Sequence, residues 1–375
     1  MSQPVHIAVI GAAGLIGLRH VSHILSEPST HLTAILDPTP AGQTLASTHS
    51  IPNSPTLDAL LDAMKTGEVR VDAAIVATPN HTHVEIGMAL VEAGITVLVE
   101  KPISTDTESA RKLVEASKKN GSGKLLVGHH RRFNPYLRAA KKCMTSNSLG
   151  RIIAVQGTWA LLKDVEYFKL GAWRTKKGQG GPVLINMIHE VDNLLYLFGD
   201  ITRVYVEKGE NTRDHECEET AAMTLKFKSG AVGTFLLSDA VASPYNWESA
   251  TGENPAIPAQ HQCVYTIMGT EGSISLPELK RWYYTGGSWT TPFLSDMSLR
   301  EEVDDVPPFT LQLRNLVGVH RGEEEPMCSG DEGYKDLVVI EAIVESMETG
   351  KPKLKQKPSQ DRPNTDIIPQ KKTAA

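Results

Sequence analysis

The residues best placed to do chemistry stand at the end of a short apolar run. VLVEKPI (97–103) reads as a buried strand through Val97, Leu98 and Val99, and Pro102 cannot continue a central strand. Glu100 and Lys101 therefore fall where the strand leaves its sheet. In α/β folds that rim is where ligands bind. A lysine there is either a solvated loop residue or a proton carrier whose pKa burial and a neighbouring positive charge can lower.

A second group of residues points to what would lie beside that lysine. VIGAAGLIGLRHV sets Gly11, Gly14 and Gly17 after an opening strand and at the start of a helix. Glycines there permit a tight turn and the close approach of a pyrophosphate, which helix N-terminal amides then hold. Ala13, Leu15 and Ile16 lie among them and share the candidate contact. The spacing is GxxGxxG, one residue wider at the front than the commonest fingerprint. Asp37 ends the next strand about 20 residues on, as the motif requires. A carboxylate there accepts hydrogen bonds from ribose hydroxyls and repels a 2′-phosphate. Pro38, Thr39 and Pro40 beside it offer no arginine for such a phosphate, so NAD is expected over NADP. Helix capping is the plainer role for Asp37.

These residues need a scaffold, and the pattern supplies one. Strands at 5–10, 32–36, 73–77, 95–99 and 125–128 alternate with helical stretches ending near 25 and covering 81–92 and 107–119. Such alternation predicts a doubly wound parallel sheet over residues 1–128. Beyond about 130 the grammar changes. Helices near 134–145 and 186–198 bracket a strand near 151–159, and alternating segments follow at 201–208, 219–228, 231–238, 263–268 and 272–276. They predict a second, α+β domain over 129–350 with a mainly antiparallel sheet, closed by helices near 308–321 and 333–348. In 201–276 the apolar positions Val204, Val206, Ala222, Thr224, Leu225 and Phe227 suggest one face on helices and the other on a second subunit. Residues 351–375, rich in Lys, Pro and Gln, read as a poorly ordered tail.

Composition narrows the class further. A chain of 375 residues with 40% hydrophobic and 22% charged residues reads as a two-domain soluble protein. A formal net charge of −6, with no dense basic run, argues against nucleic acid. No apolar segment approaches the roughly 20 residues that span a bilayer, and the N-terminus lacks a signal-peptide pattern. Cys143, Cys217, Cys263 and Cys328 form no CxxC pair, which argues against zinc or a disulfide framework and for a cytoplasmic setting. His81 and His83 in PNHTH lack a third ligand, so no metal is expected. His20 and His23 read as ordinary helix residues.

Six pieces occur in order: the glycine turn, VATPNHTH (76–83), VLVEKPI, VGHHRRFNP (127–135), AWRTKKGQGGPVLINMIHEVDNL (172–194) and MGTEGSISLP (268–277). Together, over roughly 5–350, they resemble the glucose–fructose oxidoreductase / inositol dehydrogenase / MocA family. The resemblance implies a Rossmann domain for NAD(P) and a sugar or polyol substrate. It also implies an open sheet that often makes the contact of a homodimer or homotetramer. It makes Lys101 of the Glu-Lys-Pro triplet catalytic, with Glu100 positioning it and the Lys-Pro bond commonly cis, and places Thr78, Pro79 and Asn80 by the cofactor and His83 by the cofactor or at the helix start. His189 is the second catalytic element. Many sugar and polyol dehydrogenases of the family carry an aspartate four residues earlier; here that position is Ile185, followed by Asn186, which can orient a hydroxyl but holds no charge. His130, Arg131, Trp173, Arg174, Asp192 and Trp247 are candidate substrate or supporting contacts, and one of Arg131 and Arg132 is structural. The implied reaction moves hydride between a secondary alcohol and nicotinamide while a proton leaves the hydroxyl. A desolvated lysine beside a cationic ring suits that proton transfer. His189 titrates in the same range, so an observed pKa would belong to the pair. A non-catalytic dinucleotide-binding sensor or repressor of the same fold is the alternative.

Overall fold

The computed structural model describes residues 3–119, 121–303 and 306–354. Its first sheet is built from β1 (Val5–Ile10), β2 (Thr30–Leu36), β3 (Asn53–Ser54), β4 (Ala73–Val76), β5 (Thr96–Val99) and β6 (Leu125–Val127), in the order β3-β2-β1-β4-β5-β6. Every pairing in it is parallel. Between the strands run α1 (Leu15–Ser26), α2 (Pro40–His49), α3 (Leu57–Thr66), α4 (His83–Glu92) and α5 (Thr107–Ser117). All four residues of both β4 and β5 are buried, because helices cover both faces of the sheet. The expected doubly wound architecture is thus present. The elements α2, β3 and α3 are absent from the sequence reading. The segment PAGQTLASTH of α2 has no apolar stripe, and a Thr39 cap with Pro40 in the first turn marks its start instead.

The second unit comprises α6 (Pro135–Thr145), β7 (Ile152–Ala160), α7 (Val165–Lys169), α8 (Ile188–Phe198), β8 (Ile201–Lys208), β9 (Thr220–Phe227), β10 (Val232–Ser238), α9 (Trp247–Thr251), β11 (Tyr265–Gly269), β12 (Ser273–Leu276), β13 (Arg281–Tyr284), β14 (Phe293–Asp296), α10 (Pro308–Arg321), α11 (Gly330–Thr349) and β15 (Lys353–Leu354). Nine strands form one sheet, β14-β13-β12-β11-β7-β10-β9-β8-β15, in which only β7 and β10 pair in parallel. Along β9 the buried positions are Ala221, Met223, Leu225 and Phe227, and these join Val204, Val206, Phe235 and Leu237 in the core with residues of α8 and α11. Ala222 and Thr224 lie on the opposite face, which corrects their expected place in the stripe; a period of two puts odd positions of β9 inside. That opposite face leaves Ile153, Val232, Leu236 and Met268 between 37% and 48% exposed.

Two boundaries differ from expectation. β15 pairs with β8, so the second sheet continues past residue 350; residues 355–375 of the expected tail lie outside the described residues. More consequentially, α10 does not close the second unit. Its Leu313, Leu316, Val317 and Val319 pack with Val5, Ile7, Val9, Ile35, Ile75 and Leu98, covering the first sheet. Hydrophobic periodicity gives a helix its buried face but not the sheet that buries it.

Candidate active site

The carboxyl ends of β1, β4, β5 and β6 converge on one rim. At the end of β1, Gly11 takes φ +80°, and a Cβ there would stand 2.7 Å from the Ala77 carbonyl oxygen at the end of β4. A Cβ on Gly17 would come within 2.1 Å of the Gly11 oxygen. The turn is therefore folded tightly against both strands, and α1 begins at its exit without a side-chain cap or an acidic residue in its first turn. Leu15, at the first helical position, is 80% exposed. An uncapped, unobstructed helix N-terminus behind a glycine turn fits the pyrophosphate of a dinucleotide. Thr78 is half-buried beside this turn, and Pro79 and Asn80 are exposed.

Asp37 ends β2 as expected, but its carboxylate is largely spoken for. One oxygen accepts from the Ala13 backbone (2.8 Å) and the other from the Thr39 backbone (3.0 Å) and hydroxyl (2.5 Å). Burial pushes its pKa upward, yet the Thr39 and Ala13 hydrogen bonds outweigh this and hold it below the ordinary carboxylate value. The helix cap at α2 is Thr39, not Asp37. Asp37 thus shapes the glycine turn, with one lone pair of the Ala13-bonded oxygen left for a ribose.

Lys101 follows β5, and the Lys101-Pro102 bond is cis. Among the described residues its ammonium makes no hydrogen bond and no ion pair. Burial lowers its pKa, Arg131 adds to the effect, and Glu100 opposes it. Glu100 itself is buried and turned away, its carboxylate accepting from His20 Nε2 (2.8 Å) and from the Lys101 backbone (3.2 Å). His20 is therefore no ordinary helix residue: from α1 it fixes the strand end that carries Glu100 and Lys101. His83 is fully buried, with its ring nitrogens 2.8 Å from the Pro102 carbonyl and 2.9 Å from that of Thr78. Burial holds this ring's pKa down, so the neutral imidazole donates to one of the two. It stands at the start of α4, between the residues that follow β4 and those that follow β5.

His189 enters from α8. A π-helical turn at Val183–Met187 precedes that helix and breaks the 3.6-residue periodicity by which residues 185 and 189 would share a face. His189 Nδ1 is buried with no partner among the described residues. Burial, and then Lys101 and Arg131, drive its pKa well below the usual imidazole range. The ring packs edge-on to His130 at 5.6 Å, and His130 stacks on Phe309 of α10 at 4.5 Å. Asn186 is held by Lys163, whose ammonium donates to its Oδ1 at 2.7 Å. Lys163 escaped the sequence reading, because a lysine just past a strand carries no local signal.

Three of the candidate contacts are buried and take the supporting place that the sequence also allowed. Arg131 is 1% exposed and bonded to Glu190 (2.6 Å), Glu248 (2.7 Å) and Glu253 (2.8 Å). Trp247 is fully buried, its indole N–H on Glu253 at 2.8 Å. Asp192 is fully buried and pairs with Arg132 at 2.7 Å, so both arginines of HHRRF are structural. The insertion 243–258 contributes Glu248 and Glu253 as inward anchors, and neither was foreseen. Asp192 also joins His129 and Asp336, whose ligand-type atoms lie within 4.8 Å of one another. Arg132 supplies counter-charge there, and although burial lowers the His129 pKa, the two carboxylates outweigh it and raise it. Trp173 is 44% exposed, and Arg174 lies over its ring at 5.0 Å.

Comparison with known proteins identifies the family. Residues 5–129 match the model described as "Oxidoreductase family, NAD-binding Rossmann fold", and residues 141–355 its "C-terminal alpha/beta domain". The inositol 2-dehydrogenase of Corynebacterium glutamicum strain R is 30% identical over 158 residues, which span 42% of this chain and only 46% of that protein. That of Rubrobacter xylanophilus is 24% identical over 94% of this chain and 93% of its own length. Among solved structures, the WlbA dehydrogenase of Bordetella pertussis in complex with NADH and UDP-GlcNAcA superposes with a TM-score of 0.73 at 24% identity, covering 95% of this chain and 99% of that one. Two family models that together run nearly end to end place this chain in the Gfo/Idh/MocA oxidoreductase family.

Proposed function

We propose that the protein is an NAD-dependent oxidoreductase that moves a hydride between nicotinamide and a secondary alcohol of a sugar, polyol or related hydroxy compound. One observation carries the reading. An unpartnered Lys101 ammonium with a lowered pKa and an unpartnered His189 Nδ1 occupy the same rim as an open glycine turn. Gly11, Gly14, Ala13 and the first turn of α1 would hold the cofactor, with Thr78, Pro79 and Asn80 alongside. When bound, NAD supplies the hydride acceptor. Lys101 Nζ takes the hydroxyl proton, and His189, kept neutral, orients the same oxygen. A sensor without turnover would need neither group poised in this way. The direct test is nicotinamide absorbance on purified protein with a polyol and sugar panel, and NADH binding without any turnover would favour the sensor.

NAD is preferred to NADP because Asp37 is held ionised where a 2′-phosphate would sit. Nicotinamide-fluorescence titration is expected to give tighter binding of NADH than of NADPH. Asp37→Ala narrows that gap and also weakens NADH, since the Ala13 tether goes with the carboxylate. Equal affinities in the unaltered protein would remove Asp37 from this role.

The protein is further proposed to form a homodimer or homotetramer through the outer face of the nine-stranded sheet, where Ile153, Val232, Leu236 and Met268 are exposed together. Light scattering at micromolar concentration is expected to show an oligomer, and Leu236→Lys to dissociate it. A cytoplasmic setting is supported by four free cysteines, and among the described residues no helix is long and apolar enough to cross a membrane.

A further inference from the structure

Beside Asn186 the cleft gathers positive charge that the hydride chemistry does not require. Lys163 stands just past β7 with its side chain 8% exposed and its ammonium on Asn186, one turn ahead of His189. Its nearest carboxylate is Asp239 at 3.5 Å, and Arg213 holds that carboxylate more closely. Tyr167 of α7 receives two cations on one ring: Lys163 Nζ lies 4.6 Å and Arg174 Cζ 4.4 Å from its centroid. Arg174 donates from Nη1 to the Tyr167 carbonyl at 3.1 Å, while its Nε is buried with no partner. No carboxylate pairs with Arg174 among the described residues. Arg213 is matched by Glu219 at 2.7 Å as well as by Asp239. Lys163 thus shares Asp239 with Arg213 and also lies in the field of Glu248, which leaves Arg174 as the member of the group whose charge no carboxylate matches among the described residues.

Two like charges on one aromatic ring repel, and more strongly in a partly desolvated cleft than in water. The arrangement becomes favourable when an anion sits between them. Arg174 offers a planar fork and Lys163 a point charge, a pairing that suits a monoanionic carboxylate. A phosphate dianion would exceed the single unmatched charge. We propose that the substrate carries a carboxylate seated on Lys163 and Arg174 over Tyr167. The hydroxyl that reacts at Lys101 and His189 then belongs to a sugar acid or polyhydroxy acid. This rests on the oxidoreductase reading and narrows its substrate class.

The test compares molecules that differ only in the acid group: D-glucuronate with D-glucose, and D-gluconate with D-sorbitol. D-Glucose 6-phosphate serves as the phosphate arm. Calorimetric titration into NADH-loaded protein measures binding, and nicotinamide absorbance with NAD measures turnover. At least one acid is expected to bind ten-fold or more tightly than its neutral partner. Lys163→Met and Arg174→Gln should each weaken that acid by about 10- to 100-fold, leaving NADH binding as it is. Arg174→Lys should recover part of the loss. Neutral partners binding as tightly as the acids, no acid binding below about 10 mM, or the phosphate binding best would each overturn the proposal. If a variant fails to fold, the acid-to-neutral ratio of the unaltered protein still decides. Acid binding without any turnover would instead sink the oxidoreductase reading and leave the anion site standing.

Discussion

Lys101→Ala lowers kcat by about 10² to 10⁴-fold, the usual contribution of a positioned acid–base group, while NADH affinity stays within a few-fold. The reason is location. The Lys101 ammonium faces the rim with no partner among the described residues, whereas the glycine turn and Asp37 are the groups proposed to hold the dinucleotide. Its pKa lies below the lysine value of 10.5 because burial and Arg131 disfavour the charged form. In the oxidative direction the neutral amine is the base, so activity rises with pH through this lowered pKa and then levels. His189 does not share that limb. Burial and the adjacent cations keep its ring neutral from well below its ordinary 6.5 upward. His189→Gln is accordingly expected to lower kcat yet leave the limb in place, whereas Lys101→Ala removes it. The sequence allowed the two to titrate as a pair; the charges around them separate their ranges. A limb that survives in Lys101→Ala and vanishes in His189→Gln would exchange their roles.

Arg131→Met is the substitution expected to do most harm to stability. It leaves Glu190, Glu248 and Glu253 buried with their shared cation gone. Breaking a buried ion pair from one side typically costs about 3 to 5 kcal/mol, which for a chain of 375 residues corresponds to a fall in Tm of roughly 5 °C. The effect depends on pH with a definite sign. Burial raises the Glu253 pKa, but Arg131 and His130 outweigh it and depress it far below the ordinary value. A depressed carboxylate contributes stability above its unfolded pKa and loses it as pH falls toward the folded one. The gap in Tm between the two proteins should therefore stay wide from pH 7 down to about pH 4.5, the ordinary glutamate value, and shrink only below it. Thermal melts across that range measure it. A variant melting within 2 °C of the parent at pH 7 would mean that Arg131 is not the cation that holds these carboxylates.

Much of the site's outline could be read from the chain because strand ends announce themselves. VLVEKPI stops at a proline, VIGAAG at a glycine turn and AIL at Asp37, so the rim residues follow from the strands that deliver them. What escaped is long-range pairing. His20 lies 80 residues from Glu100, and Glu253 lies 122 from Arg131. No local periodicity links such partners. Trp247 was a candidate contact for substrate, yet it fills the core, and its neighbour Glu248 meets an arginine. The one usable cue was charge. HHRRF brings two adjacent arginines to a strand end, and buried arginines require carboxylates from elsewhere in the chain. β13 and β14 were missed because RWYY and FLSD are short and fully buried on neither face, so neither shows an alternating pattern, and α10 was assigned to the wrong sheet.

That misplaced helix decides how far the protein can be divided. A fragment ending at residue 128 would contain every strand of the first sheet and every glycine of its turn, and by sequence it would look complete. It would nevertheless lack α10, which arrives some 180 residues later to shelter Ile7, Val9, Ile75 and Leu98 and to set Phe309 against His20, His23 and His130. The cofactor lobe is therefore not modular. Anyone transplanting it into a chimera, or excising it to study nucleotide binding alone, would have to carry residues 308–321 along on a new linker. The lobe with its borrowed helix, not the contiguous first third of the chain, is the unit that could be inherited or exchanged.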